Sequence, residues 1–245
     1  GNKPNTVHGD LAAIRKFIRR AYKQKLIKHY TFEDFEFSRQ EVEKEYLTIE
    51  ELDKLHSYYD NKAFLKLWKT DKRGKKYHIG KKYQDLLQQF LIACYTGLRL
   101  SDVRKLRYKH IKKDMIVMKM EKGRLTKEKM VRIPLRSRQL SVIDLESKSK
   151  PDDFVYGGFV RNNSDTNYWL KDIMKIIGID KYITFHCSRH TFAINSLVLG
   201  IPIETVSDLL GHNDLRTTQI YAKIVDEKRH QGMDQWDKLA MRKVV

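Results

Sequence analysis

Cysteine, long apolar runs and negative charge are all scarce in this sequence, and each shortage excludes something. The 2 cysteines, Cys94 and Cys187, each sit inside an apolar helical pattern with no metal-type spacing, which predicts reduced, buried thiols in an intracellular protein. No apolar stretch approaches the ~20 residues that span a bilayer, and the N-terminus carries no signal-type hydrophobic segment. A soluble, cytoplasmic chain with no membrane partner follows as the expectation. There is no glycine-rich phosphate loop, no internal repeat and no low-complexity tract, so nucleotide use is unsupported. The chain begins at Gly1 and not at methionine, and we expect further sequence upstream.

The shortage of acid is the most informative. Lys+Arg number 49 against 31 Asp+Glu, a formal charge of +18, and the basic residues run along the whole chain. A polyanion is the natural partner, although solvated charge alone makes many ordinary proteins basic. With 245 residues, 41% of them hydrophobic, the chain is long enough for one well-buried domain and part of a second.

The pattern along the chain is mostly helical. Apolar positions Leu11, Ile14, Phe17, Ile18 and Tyr22 recur at helical period between about Thr6 and Lys28, with Arg15, Arg19, Arg20 and Lys23 on the other face. Residues 32 to 46 are acidic and polar and read as a linker. Thr48 and Glu51 then form a capping box flanked by Leu47 and Leu52, a hydrophobic staple, which places a domain boundary just before residue 47. We therefore expect one unit at 1–46 and a second at 47–245. Between Lys69 and Lys82, seven cations surround two glycines, the text of a basic surface loop that either tracks DNA backbone or is merely solvated. A buried helix runs from Tyr83 to a C-cap at Gly97. Arg99 follows at once, with Asp102 placed to orient it or to cap the next helix; taken alone, Arg99 suits a structural ion pair. Strand-like runs begin at Met115 and Met130 around a cationic tip holding Lys122, Lys127 and Lys129. Helices are expected at 138–146, at 164–177 and up to Leu210, the last entered through Pro202. The fold class is mostly α with a small antiparallel β-sheet or hairpin (α+β).

The stretch from Phe185 to Ala222 carries the chemistry. His186 and Arg189 stand in an H-x-x-R spacing that puts them on one turn of a helix, His212 closes a Leu-Leu-Gly-His sequence, and Tyr221 lies nine residues further on. Guanidinium holds phosphate oxygens, imidazole moves a proton near neutral pH, and a phenol oxygen can be a covalent nucleophile.

Taken together, T-G-L-R-L-S-D at 96–102, the hairpin ending in I-P-L at 133–135, H-C-S-R-H-T-F-A at 186–193, L-L-G-H at 209–212 and T-T-Q-I-Y at 217–221 resemble the tyrosine recombinase (phage integrase) family over about residues 47–225. The resemblance implies a catalytic set of Arg99, His186, Arg189, His212 and the nucleophile Tyr221. It also implies a hairpin lysine. Thr126 stands eight positions before Pro134, where that lysine is frequent, so a longer hairpin moves the role to Lys122, with Lys127 as runner-up. On this resemblance Tyr221 attacks a DNA phosphodiester, Arg99 and Arg189 hold its non-bridging oxygens, His186 accepts the phenol proton, His212 adds a hydrogen bond and Lys122 protonates the departing oxygen. No metal and no nucleotide cofactor are needed. The N-terminal helix resembles the end of a core-binding domain, and residues 226–245, with Met233, Trp236, Leu239 and Ala240, resemble a tail that docks on a neighbouring protomer. The implied partners are double-stranded DNA, a homo-tetramer on it and accessory DNA-bending proteins; the implied task is integration or excision of a mobile element, at the nucleoid when DNA is bound.

Other readings carry different signatures. A sequence-specific DNA-binding protein would bind without forming an adduct, a metal-independent ribonuclease would use His186, His212 and Lys122, and a type IB topoisomerase would share the chemistry without a specific site. His186 and His190, four apart, could instead be core or zinc residues, although Cys187 breaks the H-E-x-x-H form.

Overall fold

The computed structural model describes residues 4–30, 32, 44–70, 73–120, 129–143, 145, 150–156 and 163–241, with only the backbone at 163, 164, 228, 231, 232 and 234–241. Two compact units are present, Gly1–Lys44 and Glu45–Val245. Within the first, helix α1 spans Pro4–Lys23 and buries none of its residues. Phe17 on its apolar stripe is 73% exposed. Arg15 donates from Nε to the Tyr30 hydroxyl at 3.0 Å, folding the segment after α1 back onto it.

The larger unit opens at α2, Ile49–Asp60, where the Thr48 capping box is formed on both sides and the staple residues Leu47 and Leu52 are buried in one cluster. The second unit begins at Glu45, two residues before the place the capping box suggests, and Tyr46 packs within it: Lys181 Nζ donates to its carbonyl at 3.1 Å and sits 5.5 Å from its ring centroid.

Helix α3, Gly80–Thr96, is the axis of the unit, with Leu86, Leu87, Phe90, Leu91 and Ile92 fully buried. An apolar surface on nearly every side suits a helix walled in all round. Around it pack α2, α6 (Asn163–Ile177) and α7 (Cys187–Val198). A three-stranded antiparallel sheet, β3 (Ile111–Lys112), β4 (Met115–Met120) and β5 (Lys129–Pro134) in that order, pairs Ile116 with Ile133 and Met118 with Val131. These four face inward together with Met120, as alternate residues of a half-buried strand must. A second apolar cluster joins α7, α8 (Ile203–Leu209) and α9 (Arg216–Met241) through Ala193, Ile194, Val206, Leu210, Tyr221 and Val225.

Three expectations change. The basic run at 69–82 is not an irregular loop: β1 (Trp68–Thr70) and β2 (Lys76–His78) form an antiparallel hairpin before α3. Its strands are three residues long and mostly exposed, so no apolar alternation announced them. The helix expected at 138–146 is a single turn, α5, Ser137–Leu140. The helix after Arg99 is likewise one turn, α4, Leu100–Val103. The C-terminal segment is helical to Met241, as a continuation of α9, which also carries Tyr221. Strand β3 went unnoticed because two residues have no periodicity. Among the described residues no helix is long and apolar enough to cross a membrane.

Candidate active site

Two glycines shape the backbone on which the site stands. Gly97 ends α3 with φ of 69°, and a Cβ there would lie 2.7 Å from Phe192 Cδ1 and 2.8 Å from Leu210 Cδ2. Only glycine meets both the left-handed turn and the close approach. The reversal delivers Arg99 to the N-cap of α4 in extended conformation, with its Nη1 3.9 Å from Asp102 Oδ2. Gly211, with φ of 65°, does the same after α8, where a Cβ would meet Met120 Sδ at 2.7 Å. That turn places His212.

Arg189 is the centre of the arrangement. It lies in the first turn of α7 and is 3% exposed. Its guanidinium donates to the carbonyl of Gly97, to that of Leu210 at 2.9 Å and to His212 Nε2 at 3.1 Å. One side chain thus ties together both glycine turns. Because arginine has no acceptor, the last bond fixes His212 Nε2 as acceptor, which leaves the ring proton on Nδ1, donated to Thr218 Oγ1 at 2.8 Å. His212 is held in one tautomer. Burial, and next the Arg99 charge, push the Arg189 pKa down to about 10, while Tyr221 and Asp102 oppose this; the group stays charged at neutral pH.

A cleft of about 470 Å³ opens in front of this network, and its walls include Arg99, Arg104, His186 and Arg189. Arg104 was not singled out in the sequence. It reaches Thr166 Oγ1 at 3.3 Å from α6, and the only signal for it is its place five residues after Arg99. His186 is exposed at the N-cap of α7. The segment before it is pinned by Asn167, whose Oδ1 accepts from the Phe185 amide at 2.9 Å.

Tyr221 and His212 are not among the residues lining that cleft. Tyr221 is 4% exposed, and its hydroxyl shares a 2.9 Å hydrogen bond with His190 Nδ1. The phenol therefore meets the histidine one helical turn beyond His186, whose ring stands edge-on to that of His190 at 4.8 Å. Burial raises the Tyr221 pKa, and the Arg189 charge pulls the other way. His190 and Thr218 are the residues that sequence reasoning left aside. Thr218 is fully buried three residues before Tyr221, on the same face of α9, and that spacing within T-T-Q-I-Y was its only trace.

Lys122, its alternative Lys127 and Thr126 lie outside the described residues. The third hairpin lysine, Lys129, donates to the His212 carbonyl at 3.2 Å and pairs with Asp208 at 3.0 Å. Among the described residues no three His, Cys, Asp or Glu side chains gather as a metal site would require.

A helical domain with a three-stranded antiparallel sheet, carrying Arg99 on an interhelical turn and Arg189 on the buried helix α7, has the fold of a tyrosine recombinase catalytic domain. The chain belongs to the phage integrase family, whose model matches residues 45–228. A tyrosine recombinase of Pseudothermotoga lettingae is 30% identical over 158 residues, 63% of this chain and 54% of that protein. Tyrosine recombinase XerD of Listeria innocua is 28% identical over 242 residues, 91% of this chain and 73% of its own. The chain spans about half the length of the Pseudothermotoga lettingae protein, 54%, and of a tyrosine recombinase of Thermosipho africanus, 49%, to which it is 32% identical over 142 residues. Among solved structures, the Tn1549 transposon integrase in complex with circular intermediate DNA superposes with a TM-score of 0.64 at 17% identity, over 90% of this chain and 75% of that one. A lambda integrase dimer bound to a COC' core site does so at 0.61 and 14% identity, over 89% and 71%.

Proposed function

We propose that this chain is the catalytic part of a site-specific DNA recombinase that cuts and rejoins strands through a phosphotyrosine. The observation that carries the reading is the joining of Arg99, Arg189 and His186 at one cleft, with Tyr221 on the helix packed behind it. Tyr221 Oη attacks the scissile phosphorus, forming a 3′-phosphotyrosyl bond as the phosphorus to 5′-oxygen bond breaks. His186 takes the phenol proton, and Lys122 gives one to the leaving 5′-oxygen. Attack by the 5′-hydroxyl of a second strand reverses each transfer. The phosphodiester is exchanged and not hydrolysed, so no nucleotide is consumed. Arg99 and Arg189 neutralise charge that grows on the non-bridging oxygens, and His212, once it takes a proton on Nε2 in place of the bond from Arg189, adds a hydrogen bond there. A phenol whose ordinary pKa is ~10 needs such cationic company to attack at neutral pH. Before attack it must turn from His190 toward the cleft.

On the same reading residues 1–46 are the end of a core-binding domain. The far part of α9 docks on a neighbouring protomer within a tetramer on DNA, and accessory proteins bend the site. The task is integration or excision of a mobile element. The structural neighbours in complex with DNA, a transposon integrase among them, support this direction.

The test uses a pool of nicked duplexes of randomised sequence and a denaturing gel. The unaltered protein should leave a covalent protein–DNA band that Tyr221→Phe lacks. Equal bands from both proteins would remove Tyr221 as nucleophile; no band from either, with tight salt-sensitive binding, would favour a DNA-binding protein without catalysis.

A further inference from the structure

The β1–β2 hairpin is not used by the chemistry above, yet it is built for a polyanion. Residues 61–82 hold nine Lys and Arg against one Asp. Such a run would be ordinary solvated charge were it loose, but it is tied down at several points. The strands pair Trp68 with His78 and Thr70 with Lys76 on one face, and Lys69 with Tyr77 on the other. Lys69 turns to the body of the domain and forms an ion pair with Asp172 of α6, whose same carboxylate oxygen accepts from the Tyr83 hydroxyl at 2.8 Å. At the base, the Leu67 carbonyl accepts from the amides of Ile79 and Gly80 at 3.1 and 3.2 Å. Gly80 is pressed so closely on the Phe64 carbonyl oxygen that a Cβ would lie 2.0 Å from it.

Consequently the opposite face points away from the domain. Trp68 is 61% exposed, its ring edge-on to His78 at 5.2 Å, and Lys76 lies beside them in register on an exposed strand. A rigid indole left in water beside cations is the composition of a nucleic-acid contact and not of a packing face. The position agrees. Asn167 of α6 lines the arginine cleft, and Asp172, the hairpin's anchor, is five residues further along the same helix, about 7.5 Å of axis. Tyr168, between them, is exposed and lies 5.9 Å beneath Lys69 Nζ.

We infer that the β1–β2 hairpin is a second DNA contact that grips the phosphate backbone beside the cleaved site, with Lys75 and Lys76 on phosphates and Trp68 against the sugar edge. This rests on the recombinase reading of the cleft. The test measures affinity of the whole chain for a 40-base-pair mixed-sequence duplex across a salt series, for unaltered protein, Lys75→Ala/Lys76→Ala and the charge-preserving Trp68→Ala. Two lost phosphate contacts should flatten the slope of log K against log salt by about 1.8, roughly a thirty-fold weakening at 0.15 M. Trp68→Ala should weaken binding several-fold at unchanged slope. Both variants should keep the thermal midpoint and the adduct yield at saturating protein. If they bind as the unaltered protein does, the hairpin inference is overturned, as it would be were the hairpin a dock for an acidic protein. If the unaltered protein itself neither binds duplex nor forms adduct, the recombinase reading fails first.

Discussion

The bond between Tyr221 and His190 makes a claim about where the tyrosine rests, and stability can test it without any DNA. In the free protein the hydroxyl is buried against α7, 2.9 Å from His190 Nδ1, so its removal should cost energy. A hydrogen bond between buried neutral groups contributes about 0.5–1.5 kcal/mol, and leaving one partner unsatisfied costs about 1–3 kcal/mol. Tyr221→Phe should therefore destabilise by about 1–2 kcal/mol, a fall of roughly 2–8 °C in Tm for a unit of this size. His190→Phe, which keeps a ring but removes the nitrogen, should cost at least as much because a phenol is then stranded in an apolar cluster. The double variant should recover part of that loss, a coupling of about 1 kcal/mol in a double-mutant cycle read by urea unfolding. A tyrosine projecting into the open cleft would behave otherwise, since exposed substitutions stay within about 0.5 kcal/mol. A Tyr221→Phe protein as stable as the original, with zero coupling to His190, would refute the docked position.

Other outcomes follow from the same geometry. Gly97→Ala should destabilise by about 1–3 kcal/mol, because alanine resists positive φ and its Cβ would press on Phe192 and Leu210; thermal unfolding reads it. Thr218→Val, which removes the acceptor that holds His212 in its tautomer, should slow adduct formation by ten-fold or more while costing only about 1 kcal/mol in stability. On the alkaline side, burial raises Tyr221, pushes Tyr83 up to about 12, and raises Tyr95. Each folded pKa lies above the unfolded value of ~10, so the unfolded chain loses these protons first and stability should decline as pH rises from about 10 upward. Flat stability by urea unfolding between pH 9 and 11.5 would contradict those shifts. Deleting residues 230–245 should reduce assembly on DNA, measured by light scattering, while leaving the fold of the remainder intact; unchanged assembly would count against docking on a neighbour.

Local chemistry was legible wherever it is self-contained. The Thr48 capping box needs only Thr48, Glu51 and the backbone between them. The glycine at 97 announced a helix end, and the apolar text of α3 announced a buried axis. The basic hairpin was not legible, because Lys69 is anchored on Asp172 more than a hundred positions away, and strands of three residues, Trp-Lys-Thr and Lys-Tyr-His, are too short to show an apolar period. For α4 and α5 the place was legible and the length was not: each is a single turn of four residues, too few to set a face.

Residue types and their order, by themselves, named the groups that the proposed reaction would bring to a phosphate: two arginines, a histidine pair of motifs and a tyrosine, at spacings that helices impose. Tertiary structure alone decided how they rest. It assigned the buried guanidinium of Arg189 to two glycine-turn carbonyls and to His212, selected Thr218 to hold that ring, and gave Tyr221 to His190 and not to the cleft. These are contacts between α3, α7, α8 and α9, set by how closely the helices approach at Gly97 and Gly211. Spacing along a chain fixes neighbours on one helix, whereas the distance between helices depends on every side chain packed between them.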